Sequence, residues 1–496
     1  MKSILLNGLD LTLEKAISIS KGAPIKISPT ARKKITASRK LVQRLAQGDD
    51  PYYGINTGFG YLANEKIAPH ELELLQENII TSHASGYGDS LSIAETRLSM
   101  ALRLNVLVKG YTGVRYELCQ ALLNLINEEV YPVIPKYGSV GASGDLAPLA
   151  HLSLALIGKG KVSYKGKKMT AKRALNLAGL KPIKLAAKEG LSLVNGTQIM
   201  LSIGSISLSD ALTLALKSDL VTALSYEAMD AHVNALHSRL HELRSQQGQV
   251  IVAKNISRFL SGSSLFNTEH SRNRVQDPYS LRCAPQVHGA CLDSLLYSKS
   301  IISKELNAVT DNPLVFVDEN TVISGGNFHG QPLAMALDFA CMAVSELGNI
   351  SERRLEILLN PNTNHLSPFL SSQAGVDSGL MAAQYLAASL VNENKILANP
   401  ACTDSIPGNV GIEDHVSMGV TSARKLKQIT NNTKVIIAIE MLAAAQAIDL
   451  KKRKKLGKQT KKLYHALRTS VPKWSIERIL SDDVHEAVEV LSQFSI

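Results

Sequence analysis

Aromatic residues and cysteine are scarce in this chain of 496 residues, which has one Trp, five Cys and 5% Phe, Trp and Tyr taken together. The cysteines, Cys119, Cys283, Cys291, Cys341 and Cys402, show neither C-x-x-C spacing nor a paired framework. That pattern argues against a disulfide scaffold and a His/Cys metal site, and it suits a reducing compartment. Long apolar runs are missing too. None reaches the roughly 18 uninterrupted apolar residues of a membrane span. Val435 to Ile448 comes nearest and contains Glu440 and Gln446. The start, Met1-Lys2-Ser3-Ile4-Leu5-Leu6-Asn7, turns polar too soon for a secretory h-region. A cytoplasmic protein with no membrane partner is expected. The formal net charge is +11, most densely supplied by Lys451-Lys452-Arg453-Lys454-Lys455 and then Lys458, Lys461 and Lys462. No aromatic residue interleaves that run and no nucleic-acid module accompanies it. It reads as a solvated helix end without a nucleic-acid partner, and the basic balance suits anionic substrates.

What is present is enough apolar material for a large core, at 45% hydrophobic residues. Residues 1–110 mix short strands with helices: Ser3-Ile4-Leu5-Leu6 leads into Asn7-Gly8, and Thr12 caps a helix that opens at Leu13. From 111 to 496 the pattern turns helical, over Leu201 to Leu243, Val287 to Leu306, Pro332 to Leu359, Ser371 to Leu397 and His415 to Leu450. Several of these are apolar nearly all round and must be covered by other helices, within the chain or across subunits. The expected fold is mainly α, a large helical bundle with a small N-terminal α/β cap. Gly158 to Lys167 is expected to form a β-hairpin.

One loop at the head of this bundle carries unusual chemistry. In Gly138-Ser139-Val140-Gly141-Ala142-Ser143-Gly144-Asp145-Leu146-Ala147-Pro148, attack of the Gly144 nitrogen on the Ala142 carbonyl would close a ring. Loss of that water and of the Ser143 hydroxyl as a second would leave an exocyclic methylidene, an electrophile that no unmodified side chain provides. Glycine at 144 gives the chain the freedom to turn. The glycine spacing fits neither phosphate-binding fingerprint, and Asp145 would repel a phosphate. Asp145 reads instead as the N-cap of a helix with Pro148 in its first turn.

This stretch resembles the signature of the aromatic amino acid ammonia-lyases and aminomutases, which use the self-made group 4-methylidene-imidazol-5-one. The likeness extends from Asn7-Gly8 to Glu413-Asp414-His415-Val416-Ser417-Met418. It implies that Ala142, Ser143 and Gly144 form the group without any added cofactor, and that the enzyme is a homotetramer whose sites combine subunits. It also implies a catalytic base at Tyr53, in Tyr53-Gly54-Ile55-Asn56-Thr57-Gly58-Phe59-Gly60, whose phenol must be ionised with the help of hydrogen bonds or positive charge. Arg282, in Gln276-Asp277-Pro278-Tyr279-Ser280-Leu281-Arg282, resembles the arginine that holds the substrate carboxylate through two donors. Gln276 and Tyr279 match neighbouring site residues. Asn195 matches the asparagine that bonds substrate and supports the ring, and Phe328 the phenylalanine that packs on it.

Substrate choice is implied by Ser82-His83, where enzymes acting on phenylalanine resemble Phe-Leu and those acting on tyrosine His-Leu. His83 can hydrogen-bond an imidazole. Glu413, where those enzymes usually carry glutamine, can accept an N–H. Both favour L-histidine as substrate and trans-urocanate as product. Four places depart from the usual histidine pattern: Gly330-Gln331, Ala284, His288 and Gly411-Ile412. His288 and His329 read as structural. Tyrosine elimination, aromatic 2,3-aminomutase activity and, from another class, a catalytically silent scaffold or basic nucleic-acid binder remain as alternatives.

Overall fold

The structure is a computed structural model that describes residues 3–267, 274–453 and 455–496. Lys454, in the basic run, lies outside the described residues. The chain forms two compact units, each discontinuous in sequence. The first comprises Met1–Ser209, Lys299–Asp338 and Pro400–Arg424; the second comprises Asp210–Ser298, Phe339–Asn399 and Lys425–Ile496.

In the first unit, strands Ile4–Leu6 and Ile25–Ile27 pair in parallel around helix Leu13–Ser20, which Thr12 caps by accepting the Lys15 N–H at 3.3 Å. Helix Ile93–Leu107 starts with a Ser92/Glu95 capping box and is buried from Glu95 onward. Such a helix can hold charge only where the charge is fully bonded. Arg97 donates to the carbonyls of Ile19, Ala23 and Ile126 and to the Tyr131 hydroxyl, all at 2.8–2.9 Å. That arginine ties the segment between the first two strands to Ile126 and Tyr131, beyond residue 110. The expected hairpin is present as Lys161–Tyr164 and Lys167–Thr170, with Val130–Pro132 completing a three-stranded antiparallel sheet.

Long helices dominate the rest: Gln198–Met229, Ala284–Glu305, Gln331–Leu359 and Gly419–Lys451. The division between units falls within each of them. Gln198–Met229 and Gln331–Leu359 are long and apolar enough to cross a membrane by length and composition, yet 67% of each apolar window is buried inside the fold. They have the burial of core helices. The pattern expected to run helical to Leu243 stops at Met229, because Asp230 turns with φ +51°.

The second unit packs its core from residues such as Tyr226, Phe259, Leu281, Leu355, Ile436 and Leu463. Glu440, the charge inside the longest apolar run, is fully buried and satisfied by Arg354, Ser225 and Ser351 at 2.6–3.0 Å. Gln446, the other interruption, exchanges two hydrogen bonds with the Trp474 backbone, at 2.8 and 2.9 Å. The basic run is not uniformly solvated: Lys451 and Arg453 both pair with Asp230, while Lys452 and Lys455 are exposed.

Candidate active site

Within the first unit lies a cavity of about 440 Å³ whose wall includes Tyr53, Ser82, His83, Ser143, Asn195 and Glu413. Tyr53 comes in on a loop that folds back on itself, with Ile67 N–H donating to Asn56 O and Gly58 N–H to Glu65 O, each at 3.0 Å. The Tyr53 hydroxyl accepts the Gly60 N–H at 3.2 Å. Burial is the largest influence on this phenol and raises its pKa above the ordinary range; the Gly60 N–H opposes that, and the Glu413 charge adds to it. Of the phenolate stabilisation expected from the sequence, the Gly60 N–H is the contributor present here, and burial outweighs it.

His83 ends helix Leu72–His83, and Ser82 Oγ lies 3.0 Å from its Nδ1. The same two residues border a second cavity of about 240 Å³, which Ala142 also lines. Between Gly138 and Leu146 the backbone turns left-handed five times, at Gly138, Gly141, Ser143, Gly144 and Leu146. Gly144 is dictated by space as well as by its φ of +79°: a Cβ there would meet Gly196 O at 2.1 Å. Ser143 Oγ donates to Glu413 Oε1 at 3.3 Å.

Asp145 corrects the sequence reading. Its own helix, Ala147–Leu154, has Leu146 at the N-cap with φ +43° and no side-chain cap. The Asp145 carboxylate instead accepts the N–H groups of Ile199 and Met200, at the start of Gln198–Met229. Its backbone N–H meanwhile donates to Gly196 O at 2.7 Å. It caps a helix, but one whose capped N–H groups lie 54 and 55 residues further along. Burial pushes its carboxyl up to about 8 despite those donors.

Asn195 follows helix Glu189–Val194, and Arg103 Nη1 holds its carbonyl at 2.8 Å together with Gln198 Oε1 and Thr310 O. Arg103 was not singled out from sequence, since nothing local marks a buried arginine in an apolar helix as a clamp. Asn195 Oδ1 is buried and has no hydrogen-bond partner among the described residues. A buried orphan acceptor is costly unless a ligand completes it. That orphan, the crowded Gly144 and the Ser143 hydroxyl at the cavity wall fit a prosthetic group built from residues 142–144.

The other expected site residues lie elsewhere. Phe328 is half-buried in the first unit but is not part of the cavity wall. Gln276, Tyr279 and Arg282 belong to the second unit. There Arg282 stacks over the Tyr279 ring at 4.8 Å, Tyr279 is 71% exposed, and Arg282 Nε is buried without a partner among the described residues. Asp277 organises this turn by accepting from His232 N–H at 2.5 Å and Arg274 Nε at 2.6 Å. His288 is structural as expected: buried, 2.8 Å from Asp219 and 3.2 Å from Arg354. His329 reaches the His415 carbonyl at 3.2 Å.

The sequence profile described as "Aromatic amino acid lyase" matches residues 11–469. The chain belongs to that family. Among its aromatic amino acid lyase relatives, a histidine ammonia-lyase of Treponema denticola is 47% identical over 494 residues, covering 99% of this chain and 97% of the relative. The crystal structure of histidine ammonia-lyase from Trypanosoma cruzi superposes with a TM-score of 0.92 at 40% identity, covering 99% of this chain and 93% of that one. A tyrosine aminomutase of Streptomyces globisporus gives a TM-score of 0.95 at 35% identity over 99% and 97% of the two chains. The mainly helical fold is thus the fold of this family.

Proposed function

We propose that the chain eliminates ammonia from L-histidine to give trans-urocanate, at a 4-methylidene-imidazol-5-one group formed from Ala142-Ser143-Gly144. The observation that carries this reading is the convergence of Tyr53, His83, Ser143, Asn195 and Glu413 on one cavity. Full-length similarity to histidine ammonia-lyases supports it. When formed, the group supplies an electron-poor carbon that activates the departing amine.

The remaining work falls to the chain's own side chains. Tyr53 Oη takes the proton from the substrate β-carbon as the Cα–N bond breaks and the double bond forms. Burial and Glu413 hold that phenol up in the free chain. A substrate ammonium beside Glu413 offsets the second cause, so binding itself prepares the base. Ser82 engages His83 Nδ1 and leaves Nε2 to meet the substrate imidazole. Arg282, with an unpartnered Nε, anchors the carboxylate beside Gln276 and Tyr279 from a neighbouring subunit of the homotetramer. Asn195 bonds substrate and steadies the prosthetic ring, on which Phe328 packs.

A homotetramer with shared sites is part of this reading. Its support is the exposed apolar row Phe339, Met342, Tyr385, Leu386 and Ile396 on Gln331–Leu359 and Met381–Leu397. A cytoplasmic location belongs to the same reading, supported by five cysteines that form no disulfide.

A second reading, tyrosine elimination or a 2,3-aminomutase, is favoured by the likeness to tyrosine aminomutase. Against it, Gly330, Gln331, Gly411 and Ile412 depart from the histidine pattern but do not line the cavity. The test is an ultraviolet time course of conjugated acrylate with L-histidine and, separately, L-tyrosine, with released ammonia assayed in parallel. Acrylate and ammonia from histidine are expected. Products from tyrosine alone would replace the substrate, and tyrosine isomerised with ammonia retained would make it a mutase. Silence with both, and an unmodified mass for the peptide spanning Ser143, would overturn the lyase reading.

A further inference from the structure

The loop that carries Tyr53 and the loop that carries Glu413 meet at one side chain that neither the motifs nor the family resemblance singled out. Asn409 lines the cavity, and its Oδ1 accepts the Tyr61 N–H at 3.2 Å. It lies so close to Gly60 that a Cβ on that glycine would meet Asn409 Nδ2 at 1.9 Å. Gly60 is the residue whose N–H donates to the Tyr53 hydroxyl at 3.2 Å. On its own side, Asn409 sits inside a closed turn: Gly408 N–H donates to Glu413 O at 2.8 Å, and Glu413 N–H to Gly408 O at 3.3 Å. The position of Asn409 is thereby fixed relative to Glu413. The turn is held left-handed at three successive residues, with φ +50° at Asn409, +54° at Val410 and +85° at Gly411. A β-branched residue in that region is strained and persists only where surrounding contacts enforce it.

We propose that Asn409 is a positioning residue: by taking the Tyr61 N–H it latches the Tyr53 loop to the Glu413 loop and sets where the tyrosine hydroxyl stands. The inference rests on the reading of Tyr53 as the base, and it concerns a residue that touches neither the reacting atoms nor the Ser143 hydroxyl. Asn409 is exposed to solvent, so its variants fold.

Three variants separate the latch from the backbone. Asn409→Gly keeps the left-handed turn and loses the acceptor; Asn409→Asp keeps both; Asn409→Ala loses the acceptor and strains the turn. Loss of one backbone-directed hydrogen bond predicts a kcat about tenfold lower in N409G and N409A, whereas N409D keeps the acceptor but adds a like charge in the Tyr53 cavity and moves the rising limb of kcat/KM to higher pH. The two-water mass loss at Ser143 should stay complete in all three, and amide exchange at Tyr61 should quicken in N409G and N409A but not in N409D. Wild-type kcat and Tyr61 protection in N409G would overturn the proposal, as would a defect confined to N409A, which would assign the effect to turn strain alone. If the wild-type chain turns over neither amino acid, the lyase reading fails, and Tyr61 exchange still decides whether the latch exists.

Discussion

The Glu440 network and the 142–146 loop both bury polar groups, but they complete them differently. In the second unit Glu440 receives Arg354 and two serine hydroxyls, so each carboxylate oxygen has its donors. In the first unit the buried polar groups around the 142–146 loop stay partly open: Asn195 Oδ1 and Arg103 Nε and Nη2 have no partners among the described residues. A completed network makes a core specific to one packing. An incomplete one marks where something further is to be held. The contrast separates a closed structural network from the surroundings of the proposed prosthetic loop.

The comparison breaks most sharply with Ser143→Ala, which should take turnover to background while leaving thermal unfolding near wild type. Loss of stability without loss of turnover would reverse the assignment of that loop. In the other unit, Glu440→Ala should cost about 3–5 kcal/mol by leaving the Arg354 guanidinium buried and unpaired, read from denaturant unfolding. The pair R354M/E440L should recover most of that loss, and a cost no larger than that of a surface pair would mean the network is not structural. A pH-dependent effect is expected at Asp145. Between its ordinary value of 3.8 and about 8 the folded chain keeps a proton that the unfolded chain has released, so stability falls as pH rises through that window and is level above it. Asp145→Asn should flatten this slope in melts across pH. Smallest is the shift in Glu413→Gln: removing a like charge lets Tyr53 ionise more readily, so the rising limb of kcat against pH moves to lower pH. A limb that stays in place would separate Glu413 from the base.

Much of the architecture was legible because it rests on local pattern. Thr12 caps its helix, Gly166 turns the expected hairpin, and the over-apolar runs became core helices. The left-handed turns at Ser143, Gly144 and Leu146 explain why a glycine-rich motif was visible there while its use by Asp145 was not. A cap is set by which helix end lies near in space, and sequence adjacency pointed to the wrong one. Likewise the run to Leu243 read as one helix because Asp230, a residue that tolerates the left-handed turn, has no glycine or proline to announce it. Arg103 and Asn409 act through contacts about 92 and 348 residues away along the chain, a distance over which no periodicity carries information. Glu440 was visible only as an interruption, since its partners come from two other helices, Gln198–Met229 and Gln331–Leu359.

The pairing of Lys451 and Arg453 with Asp230 changes what the basic run offers a polyanion. Binding to such a run is driven largely by small ions set free from it. Asp230 already serves as a fixed, internal counterion for both residues, so a polyanion meeting them liberates nothing. Among the described residues of the run, the exposed Lys452, Lys455, Lys458, Lys461 and Lys462 remain to contribute to any dependence on salt.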